Sequence, residues 1–319
     1  MHRLASVPGL DEGDASGGQG VPYVEQPPAP VLLLSSADTD LLSLQSLLNL
    51  NPELLGAEAR ALNLAALSHP AVIDHYLATT VSRAQLVLVR LLGGRSHWSY
   101  GIEQLRQWAR DGRASPTRHL LLLSGTTEFE PELASLGTVE SSLAIALGAC
   151  LRQGGLDNLR AVLTCLASLL RGESPEPPLA QAAPDPLPHD WRPDPGARIG
   201  VIQYRALQQA DDSDWMEASL AELRRQGLCP RALWVSSLRD PAVQQGVGDW
   251  LEREEVALVL CGTGFASVQF EEAGLGAPLW ERLGVPEPTD VPVGEMDVNA
   301  ITPAEPEDPS LPKGFRRKK

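Results

Sequence analysis

Lysine is nearly missing from this chain: Lys313, Lys318 and Lys319 are the only ones, and all lie at its very end. Arginine is the sole strong base before them. With 26 basic against 41 acidic residues, the formal net charge is -15. That balance repels phosphodiester backbones and anionic lipid heads, so general nucleic-acid binding and membrane binding are excluded as function classes. Cysteine is scarce, and Cys150, Cys165, Cys229 and Cys261 fall at no paired spacing. They read as reduced, mostly buried thiols of a cytoplasmic protein. Neither a Cys-x-x-Cys nor a His-x-x-x-His pair occurs, which argues against a preformed structural zinc site. No apolar run reaches the roughly 18 residues that span a bilayer. Pro8, Asp11, Glu12 and Asp14 stand where a secretion signal needs an apolar region. No Gly-x-x-x-x-Gly-Lys-Ser/Thr loop exists, so the chain itself is not expected to hydrolyse ATP. A Gly-x-Ser-x-Gly elbow is also missing, which leaves a hydrolase of that kind without support.

What is present is ample apolar material, 43% of 319 residues, enough for two domains at about 150 residues each. Short apolar runs alternate with helical patterns of ten to fifteen residues. In the first block, strands are expected over 31–34, 61–67, 85–91 and 119–123. Helices are expected from Asp38, through Ile73 to Leu77, and over 100–111, 138–151 and 156–170. Between Gly172 and Ala197 the composition changes: eight prolines fall among few aliphatic residues, as in an extended, semi-rigid linker. The alternation then restarts, with strands over 199–204, 232–235 and 256–261 and helices over 215–226 and 241–252. The fold class expected is α/β, two open, mostly parallel, doubly wound units joined by the Pro-rich linker. The boundaries read as a disordered lead 1–30, a first α/β domain 31–171, the linker 172–197, a truncated second α/β domain 198–285 and a disordered tail 286–319. The tail combines all three lysines with many prolines and acids. It reads either as a solvated terminus or as a stretch where the reading frame changes or foreign sequence is appended.

The most informative segment is Arg90-Leu91-Leu92-Gly93-Gly94-Arg95-Ser96-His97-Trp98-Ser99-Tyr100-Gly101. It leaves the apolar run Leu86-Val87-Leu88-Val89 through two glycines, then crowds a guanidinium and two large rings into a short loop. Open α/β sheets bind ligands at the carboxyl ends of their strands. Guanidinium pairs with carboxylates, and indole or phenol rings cover flat conjugated groups. Gly93, Gly94, Arg95, Trp98 and Tyr100 are therefore the candidate substrate-binding residues, expected as a surface cluster. Packing between domains is the competing reading. His97 would bind a metal or a carboxylate, or serve only as a polar loop residue. Asp38 and Asp40 suit either helix capping or magnesium. Gly262-Thr263-Gly264 is a fragment of a dinucleotide fingerprint, explained equally by a tight turn. No catalytic residue and no metal ligand is assigned.

Several segments resemble the N-terminal region of the CobN family, large tetrapyrrole-binding subunits of aerobic cobaltochelatase related to the magnesium-chelatase H subunit. They are Leu33-Leu34-Ser35-Ser36-Ala37-Asp38-Thr39-Asp40-Leu41, Asn63-Leu64-Ala65-Ala66-Leu67-Ser68-His69-Pro70, the loop from Arg90 to Gly101, Leu133-Ala134-Ser135-Leu136-Gly137-Thr138-Val139 and Gly154-Gly155-Leu156-Asp157-Asn158. Tyr204-Arg205-Ala206 and Val235-Ser236-Ser237-Leu238-Arg239-Asp240 continue in the same order. The resemblance runs from Val31 to Val285, and the family's onward sequence, with its metal-insertion region, is not found after that point. It implies an N-terminal fragment, or the first piece of a split or frameshifted gene, inactive alone. The implied role is ATP-dependent insertion of cobalt into a corrin precursor of the hydrogenobyrinic acid a,c-diamide type during cobalamin synthesis. Cobalt and ATP would be used by the whole complex, with ATP hydrolysed by partner subunits of the CobS and CobT type. The alternatives are a non-catalytic α/β binding or assembly module, or a fragment of a magnesium-chelatase H-like subunit.

Overall fold

Val31-Leu32-Leu33-Leu34 has no polar side chain on either face, and in a computed structural model of the chain it forms the middle of a sheet covered on both sides. The structure describes residues 3–4, 23–111, 117–126, 129–189, 191–238, 240–263, 270–271 and 274–275. The first sheet has the order β1-β3-β2-β4-β5, all parallel, from β1 (Arg3–Leu4), β2 (Val31–Ser35), β3 (Ala59–Asn63), β4 (Leu86–Leu91) and β5 (His119–Ser124). Alternate residues separate cleanly onto two faces. Val31, Leu33, Leu86, Leu88, Leu121 and Leu123 pack under α1 (Asp38–Leu50), α5 (Ser141–Gln153) and α6 (Leu156–Leu170). Leu32, Leu34, Val87, Val89, Leu120 and Leu122 pack under α2 (Pro70–Thr79) and α3 (Ser99–Arg110). A short α4 (Glu130–Ala134) leads from β5 towards α5.

The second sheet has the order β6-β8-β7-β9, from β6 (Leu187–His189), β7 (Arg198–Tyr204), β8 (Cys229–Val235) and β9 (Leu258–Cys261). β7, β8 and β9 are parallel, and β6 runs antiparallel to β8. Ile202, Leu233 and Val235 pack with Val247 and Trp250 of α9 (Pro241–Arg253) on one face. Val201, Ala232 and Trp234 pack with Met216 and Leu220 of α8 (Asp214–Arg225) on the other. The small α7 (Arg205–Gln209) follows β7. β10 (Phe270–Glu271) and β11 (Gly274–Leu275) pair with each other. The fold is thus mixed α/β, with one parallel and one mostly parallel sheet.

Three expectations need correction. The strand expected over 61–67 ends at Asn63, because the Asn63 carboxamide oxygen accepts the Ala65 N–H at 2.8 Å and starts a 3-10 turn over Leu64–Leu67. The lead is not disordered up to Pro30. Arg3–Leu4 pairs with β3, and Gln26 is buried. Tyr76, fully buried, donates its hydroxyl to Gln26 Oε1 at 2.6 Å, while Thr80 donates to the Gln26 carbonyl at 2.8 Å. Buried hydroxyls need partners, and the lead supplies them. The Pro-rich stretch, expected as an extended, semi-rigid linker, is more than a linker: it is fastened to the first unit and adds a strand to the second. The Asn158 side chain donates to the Gln181 carbonyl at 2.9 Å and accepts the Gln181 N–H at 2.8 Å. Further on, the stretch contributes β6, which covers one edge of the second sheet. The boundary at Val285 and the tail from Pro286 lie outside the described residues.

Candidate functional site

In the first sheet, β2 leads to β3 on one side, while β4 on its other side leads to β5. The chain therefore departs in opposite directions above the carboxyl ends of β2 and β4, which is where open α/β sheets leave a crevice. Two segments rim that point: Ser35-Ser36-Ala37 and Leu91-Leu92-Gly93-Gly94. The Ser36 hydroxyl accepts the Leu92 N–H at 3.4 Å and ties them together.

Gly93 and Gly94 have φ of +89° and +81°, which side chains rarely tolerate. A Cβ on Gly93 would stand 2.8 Å from the His97 ring, and one on Gly94 would stand 3.1 Å from the Phe129 ring. The glycines thus let the backbone pass beneath two of the protein's own rings. Arg95–Trp98 then forms a 3-10 turn into α3. Trp98 is buried, and its indole N–H donates to the Leu67 carbonyl at 2.8 Å. Its ring occupies the space a side chain on Gly101 would fill. Tyr100 is 39% exposed and donates its hydroxyl to Asp74 on α2 at 2.7 Å, a bond that raises the phenol's pKa. Arg95, about half exposed, lies 3.5 Å from Glu132 on α4.

The expected surface cluster of Arg95, Trp98 and Tyr100 is therefore corrected. The three side chains lie within six residues, Arg95 and Trp98 in the 3-10 turn and Tyr100 in α3, but they engage three different elements, and Trp98 belongs to the core. An indole with a satisfied N–H is mostly hydrocarbon, and α3 needs an apolar anchor at its start. Arg95 and Tyr100 keep solvent access.

Beneath the loop lies a polar cluster that the apolar periodicity conceals. Arg90 donates through Nη1 to both carboxylate oxygens of Asp40, each at 2.6 Å, and Ser35 Oγ donates to Asp40 Oδ2 at 2.5 Å. Both charged side chains are about nine-tenths buried. Asp40 is thus the counter-ion of Arg90, neither a helix cap nor a free metal ligand. Asp38 accepts from the Asn63 side chain at 2.7 Å, and Ser35 Oγ accepts the Ala37 N–H at 3.1 Å. Nearby, Arg152 of α5 pairs with Glu130 of α4. Burial first and the charge of Arg90 second pull the Arg152 pKa down. Two guanidinium groups and two carboxylates thus meet beside the carboxyl ends of β2, β4 and β5. One signal was available: a single charge inside Leu86-Val87-Leu88-Val89-Arg90-Leu91, which only a buried partner can offset.

The corresponding point of the second sheet, between β7 and β9, carries Gly262. A Cβ there would stand 2.5 Å from the Gln203 side-chain nitrogen, so this glycine makes room for that side chain. Cys261 is exposed, with its sulfur 3.0 Å from Thr263 Oγ1; Cys150, Cys165 and Cys229 are buried. No helix among the described residues is long and apolar enough to cross a membrane. A shallow groove between α2 and α3, lined by Asp74, Gln104, Trp108 and Arg118, opens near the amino end of β5 and reaches Asp74, the partner of Tyr100.

Residues 149–295 match the family described as CobN/Magnesium Chelatase. The chain is 31% identical over 283 residues to CobN, the aerobic cobaltochelatase subunit of Pseudomonas aeruginosa, an alignment covering 83% of this chain and 22% of that protein. It is 30% identical to the protein of the same name from Sinorhizobium sp, with the same two shares. The chain spans about a fifth of the length of these curated relatives. Among solved structures it is similar to the catalytic subunit of cobaltochelatase from Mycobacterium tuberculosis, at 30% identity and a TM-score of 0.43, covering 70% of this chain and 18% of that one.

Proposed function

This chain belongs to the CobN/magnesium chelatase family, and from that premise we propose that it forms the N-terminal part of a cobaltochelatase large subunit handling the tetrapyrrole. The observation that carries this reading is the match over 83% of the chain to relatives named as aerobic cobaltochelatase subunits. The substrate is a corrin precursor of the hydrogenobyrinic acid a,c-diamide type, and cobalt is the ion inserted into it. Metal insertion belongs to the part of the large subunit beyond the matched span. ATP is hydrolysed by partner subunits of the CobS and CobT type, a division supported by the missing Walker sequence. The setting is cytoplasmic, in keeping with four cysteines free of disulfides.

A corrin acid presents a flat ring edged with carboxylates. Arg95, with its guanidinium half in solvent, meets a peripheral carboxylate by charge-assisted hydrogen bonds. Tyr100 lies against the ring edge, its O–H kept on Asp74 and its hydroxyl oxygen open to accept a hydrogen bond. Trp98 and the two glycines act as positioning residues, holding the turn that presents Arg95. The buried Arg90–Asp40 pair fixes the base of the loop from below.

Titrating the corrin precursor against the full chain, followed by tryptophan fluorescence quenching, tests this. A charged hydrogen bond contributes about 1.5–3 kcal/mol, so Arg95→Ala should weaken binding roughly tenfold or more. Unchanged affinity with an unchanged Tm removes Arg95 from the site. Tighter binding of protoporphyrin than of the corrin acid would move the chain to the magnesium side of the family.

A further inference from the structure

The two units repeat one plan. In each, the first strand (β2, β7) is central, the second (β3, β8) lies on one side and the third (β4, β9) on the other, all parallel. The segment after the second strand repeats as sequence too: Leu67-Ser68-His69-Pro70-Ala71-Val72 and Leu238-Arg239-Asp240-Pro241-Ala242-Val243. His69 Nδ1 accepts the Ala71 N–H at 3.1 Å, and Asp240 Oδ1 accepts the Ala242 N–H at 2.8 Å. Leu67 and Leu238 are both buried, and a proline begins each following helix. The units can therefore be compared residue by residue. Val31 pairs with Leu86 and Leu33 with Leu88; Ile199 pairs with Leu258 and Val201 with Leu260.

At these matched positions the units differ. Leu86 and Leu88 are 0% and 2% exposed, because β5 runs along β4 and the helices α5 and α6 return over that face. Leu258 and Leu260 are 53% and 39% exposed. Among the described residues β9 pairs only with β7, whereas β6 covers the opposite edge of the same sheet. Yet Val256-Ala257-Leu258-Val259-Leu260-Cys261 is apolar throughout, the composition of a strand paired on both sides and covered on both faces. A bare edge with an adjoining apolar face is a template for another strand.

We propose that the free edge of β9, with Leu258 and Leu260, is a docking surface for the region of a cobaltochelatase large subunit that follows the matched span. That region would add one parallel strand along β9 and return an amphipathic helix over the two leucines, as β5, α5 and α6 do for β4. The length of the relatives supports this occupant, since about four fifths of each lies outside the alignment. The proposal rests on the large-subunit reading given above, but its surface is separate from the candidate tetrapyrrole loop and does not depend on binding there.

The test co-expresses the full 319-residue chain, tagged, with the portion of the Pseudomonas aeruginosa protein that follows its matched span. A one-to-one complex is expected, together with slowed amide exchange in β9 that the chain alone does not show. Leu258→Asp with Leu260→Asp should weaken the complex at least tenfold. Leu179→Asp, at a 93% exposed leucine elsewhere, should leave it intact. Should the double variant fold poorly, exchange in wild-type β9 with and without the co-expressed portion decides. The proposal is overturned if no complex forms, if the complex ignores both aspartates, or if the chain pairs with itself through β9. Slow exchange of β9 in the chain alone would assign the edge to its own residues after Thr263, and would overturn it equally.

Discussion

Arg90 sits in a strand whose other five residues are aliphatic, and Asp40 reaches it from α1. The carboxylate accepts three hydrogen bonds there, two from the guanidinium and one from Ser35. Breaking such a pair leaves one buried charge unopposed, so Arg90→Met should cost about 3–5 kcal/mol in urea denaturation. Replacing both partners, Arg90→Met with Asp40→Leu, should recover most of that loss, because no desolvated charge remains. Equal stability of the single and double variants would mean that Asp40 finds other partners. His119, at the start of β5, is half buried, and burial lowers its pKa below 6.5. The unfolded chain therefore binds the proton more readily than the folded one. Stability should be full above about pH 6.5 and should fall as pH drops through the lowered folded value. His119→Gln should flatten that part of the pH–stability curve.

At the scale of elements, the turn joining β4 to α3 depends on two residues that must lack a side chain. Gly93→Ala would strain a φ of +89° and push a methyl into the His97 ring. Gly56→Ala meets a similar φ of +69° but nothing within 4 Å. Both should lower stability by about 1 kcal/mol from backbone strain, and Gly93→Ala by more, with a further drop in Tm of about 2–4 °C per kcal/mol. Differential scanning calorimetry of the two variants separates strain from crowding; equal shifts would mean that His97 simply swings away. Helices such as α6 were readable because leucines at helical spacing leave little choice. The end of β3 was not, since a single Asn63 side-chain bond decides it.

For the whole molecule, polar contacts between the units join α7 to α1 and to the end of α5. Gln209 of α7 donates to the Gln153 carbonyl at 2.9 Å and lies where Gly154 leaves room, while Ser43 of α1 donates to the Gln209 carbonyl at 3.4 Å. Arg205, buried, donates to the Pro184 carbonyl at 2.9 Å. The Pro-rich stretch is therefore held from Gln181 to Pro184, with Leu179 in solvent just before the held part. Limited proteolysis should cut first between Gly172 and Pro184. Asn158→Ala, which removes the clamp on Gln181, should speed that cleavage several-fold with little change in Tm. An unchanged rate would show that the clamp does not limit access.

Sequence alone carried the α/β class, the two-unit plan and the order of the main strands and helices, but not β1, β6, α4 or α7. Apolar runs and their period follow from which faces must leave water, and that is written locally. It also located the Gly93-Gly94 loop at a strand's carboxyl end. Tertiary structure alone decided what the residues of that loop do. Trp98 turned inward because Leu67, distant in sequence, offered a carbonyl for its N–H. Asp40 became a counter-ion because Arg90, from a different strand, arrived beside it. Gln26, in a lead that composition marks as unstructured, was ordered by the buried hydroxyl of Tyr76. Each outcome rests on a hydrogen bond between residues far apart in the chain, and periodicity carries no record of such partners.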